Sequence, residues 1–382
     1  VGSEMCIRDR NERALRQVSQ KSYLPALALF EEAGRQHQGK FRFGLSMSGV
    51  LLEQLEALES PVLGRARGLV DAGIAELLGE TSEHSLAFLF SRSEFRRQVA
   101  RHRDLLERLF SASPRIFRNT ELLYSNEVAS EVADLGFEGC LAEGVSWLIG
   151  SSSQNRLCRA QGSSLSLLLR HRRLSDDLAF RFADRRWREY PLTPQKFLRW
   201  ILSQPGEVVN LFMDLEALGE HLGKETGVFD FWQTFIDLAL AAGVRFLSPG
   251  EVIDEFPAEE AHDCRMMSSW ADRECDESAW LGNSMQREAA QTVYALERSV
   301  LAQGDPKLVR TWGRLQASDH FYYMATKSGT DGEVHSHFNP HGSPYDYYLY
   351  YMNVLADLQV LLRGETDADL VTGSGAQGGL VR

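Results

Sequence analysis

The 382-residue sequence is short of basic charge, of cysteine and of long apolar runs, and each shortage excludes a class of function. Lys and Arg number 41 against 53 Asp and Glu, a formal net charge of −12. No basic face is available to release counterions from a phosphate backbone, so a nucleic-acid partner is not expected, whereas a neutral substrate is compatible with this charge. No apolar run approaches the roughly 20 residues of a membrane-spanning helix, so no membrane partner is expected. The five cysteines (Cys6, Cys140, Cys158, Cys264, Cys275) are an odd number without CxxC spacing. They read as reduced thiols, and neither a disulfide framework nor a zinc site is implied. Together with the lack of a secretory signal at the start, this gives the expectation of a cytoplasmic protein. Internal repeats are also absent.

What is present is ordinary globular composition, 43% hydrophobic and 25% charged, which excludes disorder and coiled coil as readings of the whole chain. The length fits two or three domains, or one α/β barrel with an appendage. The opening VGSEMCIRDR resembles a translated adaptor, so residues 1–10 are read as a non-native segment and set aside. From residue 22 onward strand-like and helical stretches alternate. Seven strand candidates follow in turn: FRFGLSMS (41–48), IAELLGE (74–80), RIFRNTE (115–121), GFEGCLAEG (136–144), SLSLLLR (164–170), EVVNLFMD (207–214) and VRFLSP (244–249). Helical spacing separates them, as at 93–110, where Phe95, Val99, Leu105, Leu106 and Leu109 form a stripe. Strands joined by helices of this length predict a parallel sheet, and seven in succession predict closure. The expected fold is therefore α/β, an incomplete seven-stranded parallel (β/α) barrel over 11–256 followed by a C-terminal helical region. Strand signals are expected to stop near Pro257, leaving a helical cap at 257–363 and a Gly-rich disordered tail at 364–382.

In such a barrel chemistry gathers where strands run out. The strand ends carry acids: Glu80, Glu121, Glu143, Asp214 and, just beyond, Glu251. An acid there is often only the N-cap or first turn of the next helix, and Glu143 and Glu251 are read that way. Asp214 stands out because strand alternation puts Asn210, Phe212 and Asp214 on one face, with Glu216, Gly219, Glu220 and His221 following. Glu121 is preceded by Arg118, Asn119 and Thr120, all able to hydrogen-bond or polarise a carboxylate. Two acids opposed across a barrel mouth, one ionised and one protonated, are the minimal equipment for glycoside hydrolysis.

The run VVNLFMDLEALGEHLGKETGVFDFW (208–232) resembles a stretch of glycoside hydrolase family 57, the α-amylase-type family with an incomplete barrel and a helical region after it. GETSEHSL (79–86), PRIFRNTELLYS (114–125), LSDDLAFRF (174–182), FLSPGEVID (246–254), SWADRECDESAWLGN (269–283) and SDHFYYM (318–324) extend the resemblance in order over nearly all of 15–363. It implies Glu121 as nucleophile and Asp214 as acid/base in retaining cleavage of α-1,4-glucosidic bonds, with an α-glucan or maltooligosaccharide as substrate. A retaining pair is expected about 5–5.5 Å apart, with Asp214 kept protonated by burial and by the charge of Glu121. The family's His-Gln-Pro motif has no counterpart in this sequence, and Leu215, Ala217 and Leu218 replace the usual Tyr, Thr and Phe.

Glu80 and His84 are candidates to hold sugar hydroxyls, as are Glu216 and His221 beside Asp214. Trp270, Trp280, Trp312, Phe321, Tyr322 and Tyr323 could stack on glucose rings or pack in a core, and Asp319 and His320 adjoin that cluster. His335, His337 and His341, near Asp331 and Glu333, match no metal-ligand spacing and are read as a loop of solvated histidines; no metal or cofactor is implied. Three alternatives stay open: 4-α-glucan transfer through the same intermediate, a catalytically silent glycan-binding fragment without the N-terminal motif, and a metal-dependent polysaccharide deacetylase on a related barrel. Nothing in the sequence fixes the oligomeric state.

Overall fold

The computed structural model describes residues 11–149, 154–340 and 342–363. The expectations for 1–10 and 364–382 lie outside the described residues. Two compact units emerge: the chain up to Ser82 with Gln98–Trp270, and Glu83–Arg97 with the chain from Ala271 on. Residues 83–97 are grouped with the C-terminal helices, and the first unit runs to Trp270.

In the first unit the strands are β1 (Phe43–Leu45), β2 (Ala75–Leu77), β3 (Ile116–Arg118), β4 (Gly139–Glu143), β5 (Cys158–Ala160), β6 (Ser166–Arg170) and β7 (Glu260–His262). β1 pairs parallel with β2, and β3, β4 and β6 pair parallel in sequence. A parallel bridge from Gly79 to Phe117 carries the series from β2 to β3, and one from Arg170 to Asn210 adds the sixth expected member. The segment 244–249 forms no ladder, yet it borders β1: the Phe246 and Phe41 rings lie 5.1 Å apart, and Pro249 abuts Gly44. Neighbours in the chain are neighbours in the arc, as helix-linked parallel strands require. This is the incomplete parallel (β/α) barrel that the alternation predicts.

The details differ at its open side. Segments 207–214 and 244–249, read as strands, contribute one bridge and none. Two short strands were not anticipated. β5 runs antiparallel to β6, and β7, beyond the expected end of strand signals, pairs parallel with β5. Neither CRA nor EAH alternates apolar and polar residues over enough length to be read; main-chain pairing with an existing edge forms them.

An apolar cluster draws Leu78, Ile116, Leu141, Leu168 and Val208 from successive strand segments. A larger one gathers Leu27, Phe30, Leu52, Leu69, Phe197 and Phe235 from the helices Leu24–Gln36, Gly49–Ala57, Pro61–Asp71, Pro194–Leu202 and Val228–Ala241. Val228–Ala241 buries Val228, Phe231, Trp232, Phe235, Ile236 and Ala239, the three- and four-residue spacing of one helix face. Glu251 sits where expected: Ser248 and Glu251 form a capping box with Pro249 in the first turn.

The second unit is helical, as expected, and includes Ser284–Ala295, Pro306–Arg314, Ser318–Tyr322 and Pro344–Arg363. Trp280, Trp312 and Phe321 are fully buried in it. Trp312 Nε1 donates to Val293 O at 2.7 Å, and Gln286 Nε2 donates to Ala279 O at 2.8 Å and Phe321 O at 3.0 Å. Aromatic packing supplies this core while the Trp312 and Gln286 donors buried in it are paired. Among the described residues no helix is long and apolar enough to cross a membrane. Cys140, Cys158, Cys264 and Cys275 are buried.

Gly219 has φ +104°, and a Cβ there would lie 1.9 Å from the Lys21 carbonyl oxygen. Both the dihedral and the close approach demand glycine. Gly219→Ala is expected to destabilise the protein by more than about 1 kcal/mol, measured by urea denaturation. An unchanged midpoint would contradict this packing of residue 21 against the loop.

Candidate active site

Glu121 follows β3 on a short 3₁₀ turn, with φ 55° and ψ 26°. Its neighbour Leu122 has φ 52°. Two consecutive non-glycine residues in the left-handed region cost roughly 1–3 kcal/mol each and persist only when the surroundings hold them. The holding contacts are visible. Leu122 is buried, and Asn119 Nδ2 donates across the turn to Leu123 O at 2.8 Å. Thr120 Oγ1 is 3.0 Å from Thr81 Oγ1. Trp270 Nε1 donates to Glu121 Oε2 at 2.7 Å, fixing the half-buried carboxylate.

The Trp270 ring has two guanidinium groups beside it, Arg118 at 5.2 Å and Arg170 at 5.5 Å from its centroid. Arg118 pairs with buried Glu80 at 3.5 Å. Arg170, at the end of β6, is itself buried. It donates through Nη1 to Glu143 at 3.0 Å, through Nη2 to Asp176 at 2.6 Å and through Nε to Phe212 O at 2.8 Å. Ser175 Oγ accepts from Phe212 N at 3.2 Å. A chain of contacts thus runs from Glu121 through Trp270 and Arg170 to the backbone two residues before Asp214.

Glu143 is not the helix cap that its position at the end of β4 suggests. Its carboxylate is buried against Arg170, and among the described residues Oε1 has no hydrogen-bond partner. Burial pushes its pKa up to about 7, against the opposing pull of Arg170 and Arg172.

Asp214 begins the turn Leu215–Ala217 without capping it through its side chain. It is exposed, where burial was expected. The turn is tethered to the N-terminal segment Ser19–Tyr23: Ser22 Oγ donates to Leu215 O at 2.9 Å, the Tyr23 hydroxyl donates to Glu216, and Lys21 pairs with Glu220 at 3.6 Å. Burial raises the Tyr23 pKa above the ordinary phenol value, reinforced by the charges of Glu216, Asp214 and Glu220, so the hydroxyl stays a donor.

The candidates therefore divide. Glu80, Glu121, Asp214, Glu216, His221 and Trp270 belong to the barrel unit; His84, Trp280, Asp319 and His320 belong to the helical unit. Trp280 is 1% exposed and offers no ring face to a sugar, because it fills the helical core. His320 has both ring nitrogens engaged, Nδ1 with the Tyr347 hydroxyl at 2.6 Å and Nε2 with Arg314 O at 3.0 Å, so it ties helices together. His84 is half-buried with φ 50°, and its carbonyl accepts from Ser318 N at 2.9 Å. His221 and Asp319 are exposed. The histidine-rich segment is a helix, Gly329–Phe338, instead of a loop. His335 is buried, stacked on Tyr322 at 3.7 Å and 3.1 Å from Asp272, which Lys327 also contacts at 2.6 Å. His341 lies outside the described residues. Among the described residues no group of three or more His, Cys, Asp or Glu is arranged to hold a metal ion. Arg170 and Tyr23 were missed, and Glu143 was read as a cap; the visible signal for Arg170 was an arginine closing the apolar run LSLLL.

The glycosyl hydrolase family 57 model matches residues 6–265. A Methanocaldococcus jannaschii protein with a provisional α-amylase name is 35% identical over 365 residues, covering 92% of this chain and 78% of that one. The family 57 branching enzyme of Thermococcus kodakaraensis superposes with TM-score 0.70 at 15% identity, covering 94% of this chain and 89% of that one. The 4-α-glucanotransferase of Thermococcus litoralis gives TM-score 0.60 at 15% identity, over 81% and 53%. At such identities the two superpositions speak to the fold.

Two measurements check this geometry. Trp270→Phe keeps the ring and loses the N–H, so turnover is expected to fall about tenfold or more with a smaller change in KM; an unchanged kcat would show that the bond to Glu121 is dispensable. For Glu143, a folded pKa near 7 against 4.5 when free means the folded state holds the proton more tightly. Its contribution is fully present below pH 4.5 and is lost as pH rises towards 7, by up to roughly 3 kcal/mol. Glu143→Gln should flatten that decline in denaturation experiments between pH 5 and 8, and an identical pH slope in both proteins would refute the assignment.

Proposed function

The chain belongs to glycosyl hydrolase family 57, and on that footing we propose that it cleaves α-1,4-glucosidic bonds of α-glucans or maltooligosaccharides with retention of configuration. Glu121 attacks the anomeric carbon while Asp214 gives its proton to the departing glycosidic oxygen, leaving a covalent glucosyl ester on Glu121. Asp214 then takes a proton from water as the water oxygen displaces Glu121, which restores both carboxyl groups. The observation that carries this reading is the treatment of Glu121: a carboxylate on a strained, over-determined turn after a barrel strand, aimed by an indole N–H. Strain of this kind concentrates where a side chain must be presented in one orientation. Trp270 holds one oxygen of the nucleophile, and the guanidinium groups of Arg118 and Arg170 lie beside the same ring. Tyr23 and Ser22 brace the turn that bears Asp214, with Glu80, Glu216 and His221 as candidates for sugar hydroxyls. Delivery of the same intermediate to a sugar hydroxyl instead of water would be 4-α-glucan transfer.

Maltoheptaose is the substrate of choice for the test. Shorter products that appear first as the α-anomer are expected, and longer ones would mark transfer. Glu121→Gln and Asp214→Asn should each lower kcat by roughly 10³-fold or more. First-formed β-anomer, or Glu121→Gln with undiminished turnover, would overturn the mechanism.

A further inference from the structure

Residues 172–181 carry two different faces. Ser175 and Asp176 serve the active-site network through Phe212 N and Arg170. Arg173, Asp177 and Arg181, spaced four apart, instead line a cavity of about 470 Å³ completed by Trp187, Glu189 and Trp200. None of these six residues belongs to the network around Glu121 and Asp214. The volume falls within the roughly 300–1,000 Å³ of small-molecule sites.

We propose that this cavity is a second, non-catalytic binding site for a neutral oligosaccharide segment; that the segment is α-glucan rests on the function proposed above. The two indoles carry the argument first. Trp187 and Trp200 are half-buried, packed on the barrel unit's larger apolar cluster on one side, and stand 6.0 Å apart at 76°. Two rigid aromatic planes set nearly at right angles form a corner that receives the C–H face of a pyranose ring. Each indole also brings an N–H for a hydroxyl. Exposed aromatic surface continues in the chain neighbours of two lining residues: Phe180 is 69% and Tyr190 40% exposed.

Charge selects the ligand class. The lining carries two guanidinium groups and two carboxylates, and both carboxylates are already paired, Asp177 with Arg181 and Glu189 with Lys196 at 3.6 Å. Arg181 pairs with Asp177 at 2.5 Å and also reaches Arg173 O at 3.3 Å, while Lys196 Nζ holds Glu189 O at 2.7 Å. A phosphorylated ligand would meet Asp177 and Glu189, and a cation would meet the arginines. A neutral polyol suits both, donating to the carboxylates and accepting from the guanidinium groups. For a polymer held at two places the second site acts through effective concentration, so its effect appears only on chains long enough to occupy both.

The full chain carrying Trp187→Ala, Trp200→Ala or Arg173→Ala tests this; the last, at an exposed side chain, covers the case in which a tryptophan variant does not fold. Mobility in native gels containing glycogen is read alongside turnover of maltoheptaose and of soluble starch. Expected are loss of glycogen retardation and a several-fold rise in KM for starch, with maltoheptaose kcat/KM within about twofold of the parent. Unchanged retardation in all folded variants would overturn the proposal. So would a parallel loss of maltoheptaose turnover, which would make the cavity part of the catalytic cleft. Retardation by inorganic-phosphate-sensitive binding alone would also overturn it. Should the parent protein not turn over maltoheptaose at all, the catalytic reading fails, while retardation that depends on Trp187 still stands or falls independently.

Discussion

A guanidinium withdrawn from water must be compensated, and Arg170 meets that demand by gathering its surroundings. Its side chain is 4% exposed, and it engages Glu143 from β4, Asp176 from the following helix and the Phe212 carbonyl from the next strand segment. An isolated buried charge would cost several kcal/mol, so each partner is fixed as firmly as the cation. The ring of Trp270 borders the same cation, and its N–H ends on Glu121. The arrangement of both acid-bearing segments therefore follows from solvating one positive charge without water.

Periodicity made the barrel legible. Runs such as LSLLL and GCLA can only be buried strands when helices of amphipathic spacing flank them, and the parallel order then follows from connection length. The acids at strand ends could be located too, because the fold class says where the strands run out. The failures share a cause: partners contributed by distant residues leave no local pattern. Glu143 looked like a cap because caps are local, whereas its true partner is 27 residues away. Tyr23 reaches Glu216 across 193 residues. Trp280 and Trp270 lie ten positions apart with indistinguishable local chemistry, yet one fills a core and the other aims a carboxylate. β5 and β7 are too short to carry a periodic signal and owe their existence to an edge already formed.

The N-terminal tether adds a second kind of constraint. Ser22, Tyr23 and the contact of Gly219 with Lys21 fasten the Asp214 turn to a segment that precedes the first strand. A turn of this length could adopt several conformations. Bonding both its backbone and its acidic side chain to a helix selects one and moves the entropic cost into folding, before any ligand arrives.

The paired left-handed residues Glu121 and Leu122 carry a cost for anyone who would make this protein hardier. Selection for heat tolerance alone rewards relief of unfavourable dihedrals, and glycine or asparagine at either position would supply it. At position 121 that substitution discards the carboxylate itself. A library screened only for survival on heating would thus enrich sturdier proteins that lack the proposed nucleophile, so stability and turnover have to be selected together.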